Sequence, residues 1–138
     1  MDDATFLNQL ECCTLPFEQW THRAHIRAAY LYLDQYPLEQ AIARVRATIQ
    51  AYNAANNIPS GPDMGYHETI TQAWMRLIDA TRRNHGPLED QHSFFERHSY
   101  LQNKMLLLLF YSRDRIMSED ARLRFVEPDL TPLPVYRK

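Results

Sequence analysis

The sequence predicts an all-α fold, a compact bundle of four to five helices with an extended proline-rich C-terminal tail. Three observations carry that expectation. All three glycines and all eight prolines fall between periodic segments, where helix caps and turns want them. Within those segments apolar residues recur at three- and four-residue spacing. No segment alternates strictly between apolar and polar residues next to an Asn-Gly or Asp-Gly pair, so no sheet is expected.

The first helix is expected from about Asp3 to Cys13, and the second from about Thr21 to Tyr36 with Thr21 as its cap. Pro37 suits the first turn of a third helix, whose stripe is Leu38, Ala41, Ile42, Val45, Ile49 and Tyr52. A fourth runs from about Met64 to Asn84 and is closed by His85-Gly86. A fifth, from about Glu89 to Met117, carries Phe94, Leu101, Met105, Leu108 and Leu109 at helical spacing. Helices of about 15 to 25 residues span about 22 to 38 Å, lengths that pack as an antiparallel bundle. After Ser118 a short helix gives way to the proline-rich strip, anchored by Phe125, Val126, Leu130 and Leu133.

A chain of 138 residues is expected to form a single domain, 1–138, able to bury its own core. Its 15 basic and 17 acidic residues leave a net charge of -2, with no basic stripe to neutralise phosphates, so nucleic acid is not an expected partner. The longest apolar run, Met105 to Phe110, is far short of the roughly 20 residues of a membrane span, and Met1-Asp2-Asp3 lacks a signal-peptide layout. A soluble, cytoplasmic protein without membrane contact is the expectation. Cys12 and Cys13 are adjacent, which rules out a disulfide framework and fits a reducing compartment.

The informative residues are histidines. On the second helix His22 lies on a stripe with Ile26, Ala29 and Leu33, and His25 follows three residues on, close enough to serve one ion. Arg23 and Arg27 mark the opposite, wet face. On the fourth helix His67 aligns with Thr71, Trp74 and Ile78, and Glu68 sits at the boundary shared with Met75. His98 shares a face with Phe94 and Leu101 and is expected to support the ligands rather than join them; His85 and His92 lie near a turn and are expected to be solvated or capping. Trp74 and Tyr30 could wall a pocket or simply fill the core.

Imidazoles converging from facing helices are how bundles hold metals. His22, His25 and His67 are therefore the expected ligands of a divalent ion (iron, zinc or nickel), with Glu68 as a fourth ligand or catalytic general base. Such a site would serve a small metal-dependent enzyme, of hydrolase or oxygenase type, acting on a small molecule. The alternative is a non-enzymatic helical module that binds a small ligand or protein and whose core histidines satisfy one another. A homodimer through Leu106, Leu107 and Phe110 is a further expectation.

The His22-x-x-His25 helix within Phe17 to Leu33, the string Tyr66-His67-Glu68-Thr69-Ile70-Thr71, and the ending Phe125 to Pro134 resemble a group of small bacterial all-helical proteins. The resemblance covers most of the chain and singles out His22, His25, His67 and Glu68, while implying no particular chemistry. In architecture alone the chain is similar to the metal-binding four-helix bundles of the DinB/YfiT type. Those take a pair of ligands from a late helix, whereas the close pair here is early.

Overall fold

Short polar side chains mark most helix starts, each accepting a backbone N–H that the first turn would leave without a partner. In the computed structural model, which describes residues 1–62, 64–84 and 89–136, Asp2 caps α1 (Asp3–Glu11) and Thr21 caps α2 (His22–Gln35). Asp90, Ser112 and Ser118 do the same for α5 (Gln91–Arg97), α6 (Arg113–Ile116) and α7 (Glu119–Leu123). Between them lie α3 (Leu38–Ala55), with Pro37 at its N-cap, and α4 (Glu68–Asn84). Helices supply most of the core, and among the described residues the only β pairing is an isolated bridge between Gly61 and Met64.

Helices α2, α3 and α4 pack on one another and form the centre of the bundle. The core is contiguous, with Ile26, Tyr30, Tyr52, Met75, Ile78, Phe95 and Tyr111 essentially sealed from solvent. α1 covers α3, α5 covers α2, and α7 packs on α4. α2 is consequently enclosed on more sides than its pattern suggests. Arg23 and Arg27, expected in water, are half-buried: their guanidinium groups lie over the rings of Phe95 at 4.6 Å and Phe6 at 4.4 Å. None of the described helices is long and apolar enough to cross a membrane.

Two segments depart from the expected elements. α4 begins at Glu68 rather than Met64, because the Met64 backbone pairs with Gly61 instead, the Gly61 N–H donating to the Met64 carbonyl at 3.0 Å. Gly65 has φ +89°, and a Cβ there would stand 2.6 Å from the Pro59 oxygen, so only glycine fits. The expected fifth helix, Glu89 to Met117, is instead α5 followed by two 3-10 turns, Ser99–Gln102 and Leu106–Leu109, and then α6. The Asn103 side-chain oxygen takes the Met105 N–H at 3.0 Å, the donor that a continuous helix would have given to the Leu101 carbonyl. The break also rephases the leucines. Leu107 is buried and Leu106 and Phe110 pack half-buried on the core, so they do not form an open face, while Met105 and Leu109, expected inside, are exposed.

Beyond Leu123 the described residues, 124–136, carry no helix and are tied back by side chains. Tyr111 Oη donates to the Val126 carbonyl, Ser112 binds Asp129 through both N–H and hydroxyl, and Thr69 Oγ1 bridges the Arg124 carbonyl and the Val126 N–H. Phe125, Val126 and Leu133 are half-buried, whereas Leu130 is exposed.

Candidate functional site: an apolar cavity with two imidazoles

Three helices that pack around alanines leave space between them. Ala28 and Ala29 of α2 face Val45 and Ile49 of α3 and Ile70 and Met75 of α4, around a cavity of about 260 Å³. His22 and His25 both line it, as the stripe on α2 requires. Trp20, in the turn just before α2, stacks on the His25 ring at 3.7 Å, and Trp74 of α4 lies against the His22 ring at 4.8 Å. The two tryptophans of the chain thus both line one cavity.

Hydrogen bonding fixes the state of each imidazole. A carbonyl oxygen only accepts, so a ring nitrogen bonded to one must carry the proton. His25 Nδ1–H donates to the Thr21 carbonyl at 2.7 Å, leaving Nε2 with its lone pair. His22 Nε2–H donates to the Leu101 carbonyl at 3.1 Å, leaving Nδ1 with its own. That carbonyl is the one released by the helix break at Asn103. The His25 ring is solvent-accessible, yet protein surrounds it on most sides; burial pushes its pKa down to about 4, against the smaller opposing pull of the Thr21 carbonyl. Burial lowers the pKa of His22 as well, again opposed by its carbonyl partner. Both rings are neutral at pH 7.

A second polar chain borders the cavity. Tyr32 Oη donates to Glu11 at 2.8 Å and accepts from Thr48 Oγ1 at 2.9 Å, and both Tyr32 and Thr48 line the wall. Burial raises the Tyr32 pKa, so the phenol keeps its proton.

His67 and Glu68 stand apart from the His22–His25 cavity. His67 precedes the first residue of α4 and caps it, Nδ1 accepting the Ile70 N–H at 3.0 Å while Nε2–H donates to the Ile116 carbonyl at 2.8 Å. Both ring nitrogens are therefore spent. Glu68 points into a different cleft, where Arg46 Nε and Nη2 grip it at 2.8 and 2.6 Å and Tyr66 Oη and Gln72 Nε2 add bonds at 2.7 and 2.5 Å. The Arg46 guanidinium, foremost among these donors, holds the carboxyl pKa down to about 2. A carboxylate so saturated is a weak base. Among the described residues no three His, Cys, Asp or Glu side chains form a set that could hold a metal ion.

The remaining candidates are structural neighbours. His98 is buried against Phe94 and shares a hydrogen bond with the Tyr100 hydroxyl at 3.1 Å. Tyr30 lies in the core with its hydroxyl on the Glu89 carbonyl, outside the cavity, whereas Trp74 does wall it. His92 is exposed on α5, and His85 lies outside the described residues. The sequence pattern does not single out Trp20, which sits in no periodic segment, or Arg46, whose partner lies on another helix.

The chain matches no known protein-family model, curated protein or solved structure. Its chemistry has to be argued from this geometry.

Proposed function

We propose that the protein binds a small, largely apolar molecule in the cavity between α2, α3 and α4, with His22 and His25 as its polar anchors. One observation carries this. Two neutral imidazoles in the cavity wall have their N–H groups tied to backbone carbonyls and each keeps one acceptor nitrogen, in a lining that is otherwise mostly aliphatic and aromatic, with Tyr32, Thr48 and Thr71 as its other polar residues. Pockets of this composition, apolar with a few fixed polar groups, are the usual form of small-molecule sites. Intrinsic fluorescence tests it directly, because both tryptophans line the cavity. Small aromatic probes are expected to change the emission of the wild type and raise its melting temperature. Ala29→Phe, which fills the cavity, is expected to abolish both effects. A wild type that responds to no probe would overturn the proposal.

A metal-dependent variant of the same site has one observation in its favour. Metal-ligating histidines commonly donate their second ring nitrogen to a carbonyl, as His22 and His25 do. The pair would bind iron, zinc or nickel with water or substrate completing the shell, without His67. Elemental analysis of protein purified without a nickel column is expected to show one ion per chain, lost in the double His22→Ala, His25→Ala variant; metal-free wild type would rule this variant out.

A further inference from the structure

We infer that the molecule this cavity takes is an uncharged, planar mono- or bicyclic compound carrying an N–H or O–H donor, a phenol or an indole in chemical type. The inference rests on the cavity being a ligand site, and it adds what kind of ligand.

Charge is excluded by the lining. Among the described residues no Lys, Arg, Asp or Glu side chain lines the cavity, so a carboxylate, phosphate or ammonium group entering it would lose its hydration without meeting a counter-charge. The imidazoles do not supply one, since both are neutral at pH 7. A donor is required by the same two rings. Each has committed its only N–H to a carbonyl, so each keeps its second nitrogen as an acceptor on a residue of the cavity wall. A ligand without a donor would strip water from those lone pairs and give nothing back, which costs more than the missing bond itself. A phenol or indole donates to one and covers the rest of the wall with its ring.

Shape follows from the aromatic walls and from size. Trp20 with His25, and Trp74 with His22, are ring contacts bordering one space, and flat faces of this kind favour a ring beside them. At about 260 Å³ the cavity falls just below the range occupied by drug-sized ligands, which leaves room for one or two fused rings.

Four probes of similar size separate the possibilities: phenol, toluene, benzoate and benzylammonium, titrated into the full-length protein at pH 7.5 with tryptophan emission and calorimetry as readouts. Phenol is expected to bind at least tenfold more tightly than toluene although toluene is the more hydrophobic, and the two ions are expected not to bind. His25→Phe, which keeps a ring against Trp20 and removes the acceptor, is expected to narrow the phenol-to-toluene ratio at least threefold while toluene binding persists. His25→Gln, which keeps an acceptor, provides the second test should the Phe variant fold poorly, and is expected to retain a preference for phenol. Toluene binding as well as phenol, or either ion binding more tightly than both, would overturn the inference and leave the cavity as a ligand site. Silence from all four probes would overturn both together.

Discussion

His22 with His25, and His67 with Glu68, are pairs of titratable residues at the N-terminal ends of α2 and α4, two helices that pack on each other, yet they differ in what remains unspent. At His67 and Glu68 every polar atom is engaged: two bonds on the imidazole, four donors on the carboxylate. At His22 and His25 each ring has used one nitrogen and kept the other, beside an empty volume rather than beside a guanidinium. A titratable side chain in a core is a structural knot in the first case and a recognition group in the second. What decides between them is whether the neighbouring backbone and side chains saturate it, not how far it is buried.

The largest effect should come from cutting the knot. Glu68→Ala leaves Arg46, Tyr66 and Gln72 without their shared acceptor and is expected to cost about 2–3 kcal/mol in urea unfolding, below the range for a fully buried pair because Arg46 is partly exposed. A loss under about 0.5 kcal/mol would mean that water replaces the carboxylate freely. His67→Ala removes a helix cap and a bond to α6 together and is expected to cost about 1–2 kcal/mol, again by urea unfolding. Neither change should alter probe binding in the cavity, and a variant that did would erase the contrast between the two regions.

Acid should separate the regions by pH window. His25 has a folded-state pKa lowered from 6.5 to about 4, so the unfolded chain takes up the proton first. Its contribution to stability is complete above pH 6.5 and is lost as pH falls from there to about 4. Glu68 has a pKa lowered from 4.5 to about 2; its contribution is complete above pH 4.5 and is lost as pH falls from there to about 2. Thermal melts at stepped pH are expected to show the upper window shrink in His25→Phe and the lower one shrink in Glu68→Ala. If either variant removed the other window, the assignment of the two groups would be wrong. The smallest effect belongs to Thr48→Val, which takes one donor from Tyr32 but leaves its bond to Glu11, and should lower stability by about 0.5–1 kcal/mol by urea unfolding.

Much of this architecture was legible in the sequence because local and global preferences agree there. The stripe from Leu38 to Tyr52 lies wholly within α3, Thr21 caps α2 as expected, and the three-residue spacing of His22 and His25 does put both on one cavity. His67 lies apart from the cavity for a local reason. Helical phase says where a side chain points only inside a helix, and His67 lies one residue before one, so its ring turns back onto the helix end. The unbroken fifth helix failed because apolar spacing from Leu101 to Leu109 is compatible with several short turns as well as with one long helix. The Asn103 side chain chooses between them by taking one backbone donor. Arg46 was invisible because its partner lies on another helix, a pairing that no periodicity encodes.

The bond from His22 to Leu101 spans 79 residues of sequence. It makes one bond at the cavity, not its walls, a late product of synthesis: α2, α3 and α4 can collapse as soon as they are made, but the proton on His22 has no fixed seat until the interrupted segment after α5 has arrived and offered its carbonyl. A nascent chain halted after α4 would therefore carry the cavity's walls, with one of its two imidazoles still free to exchange tautomers.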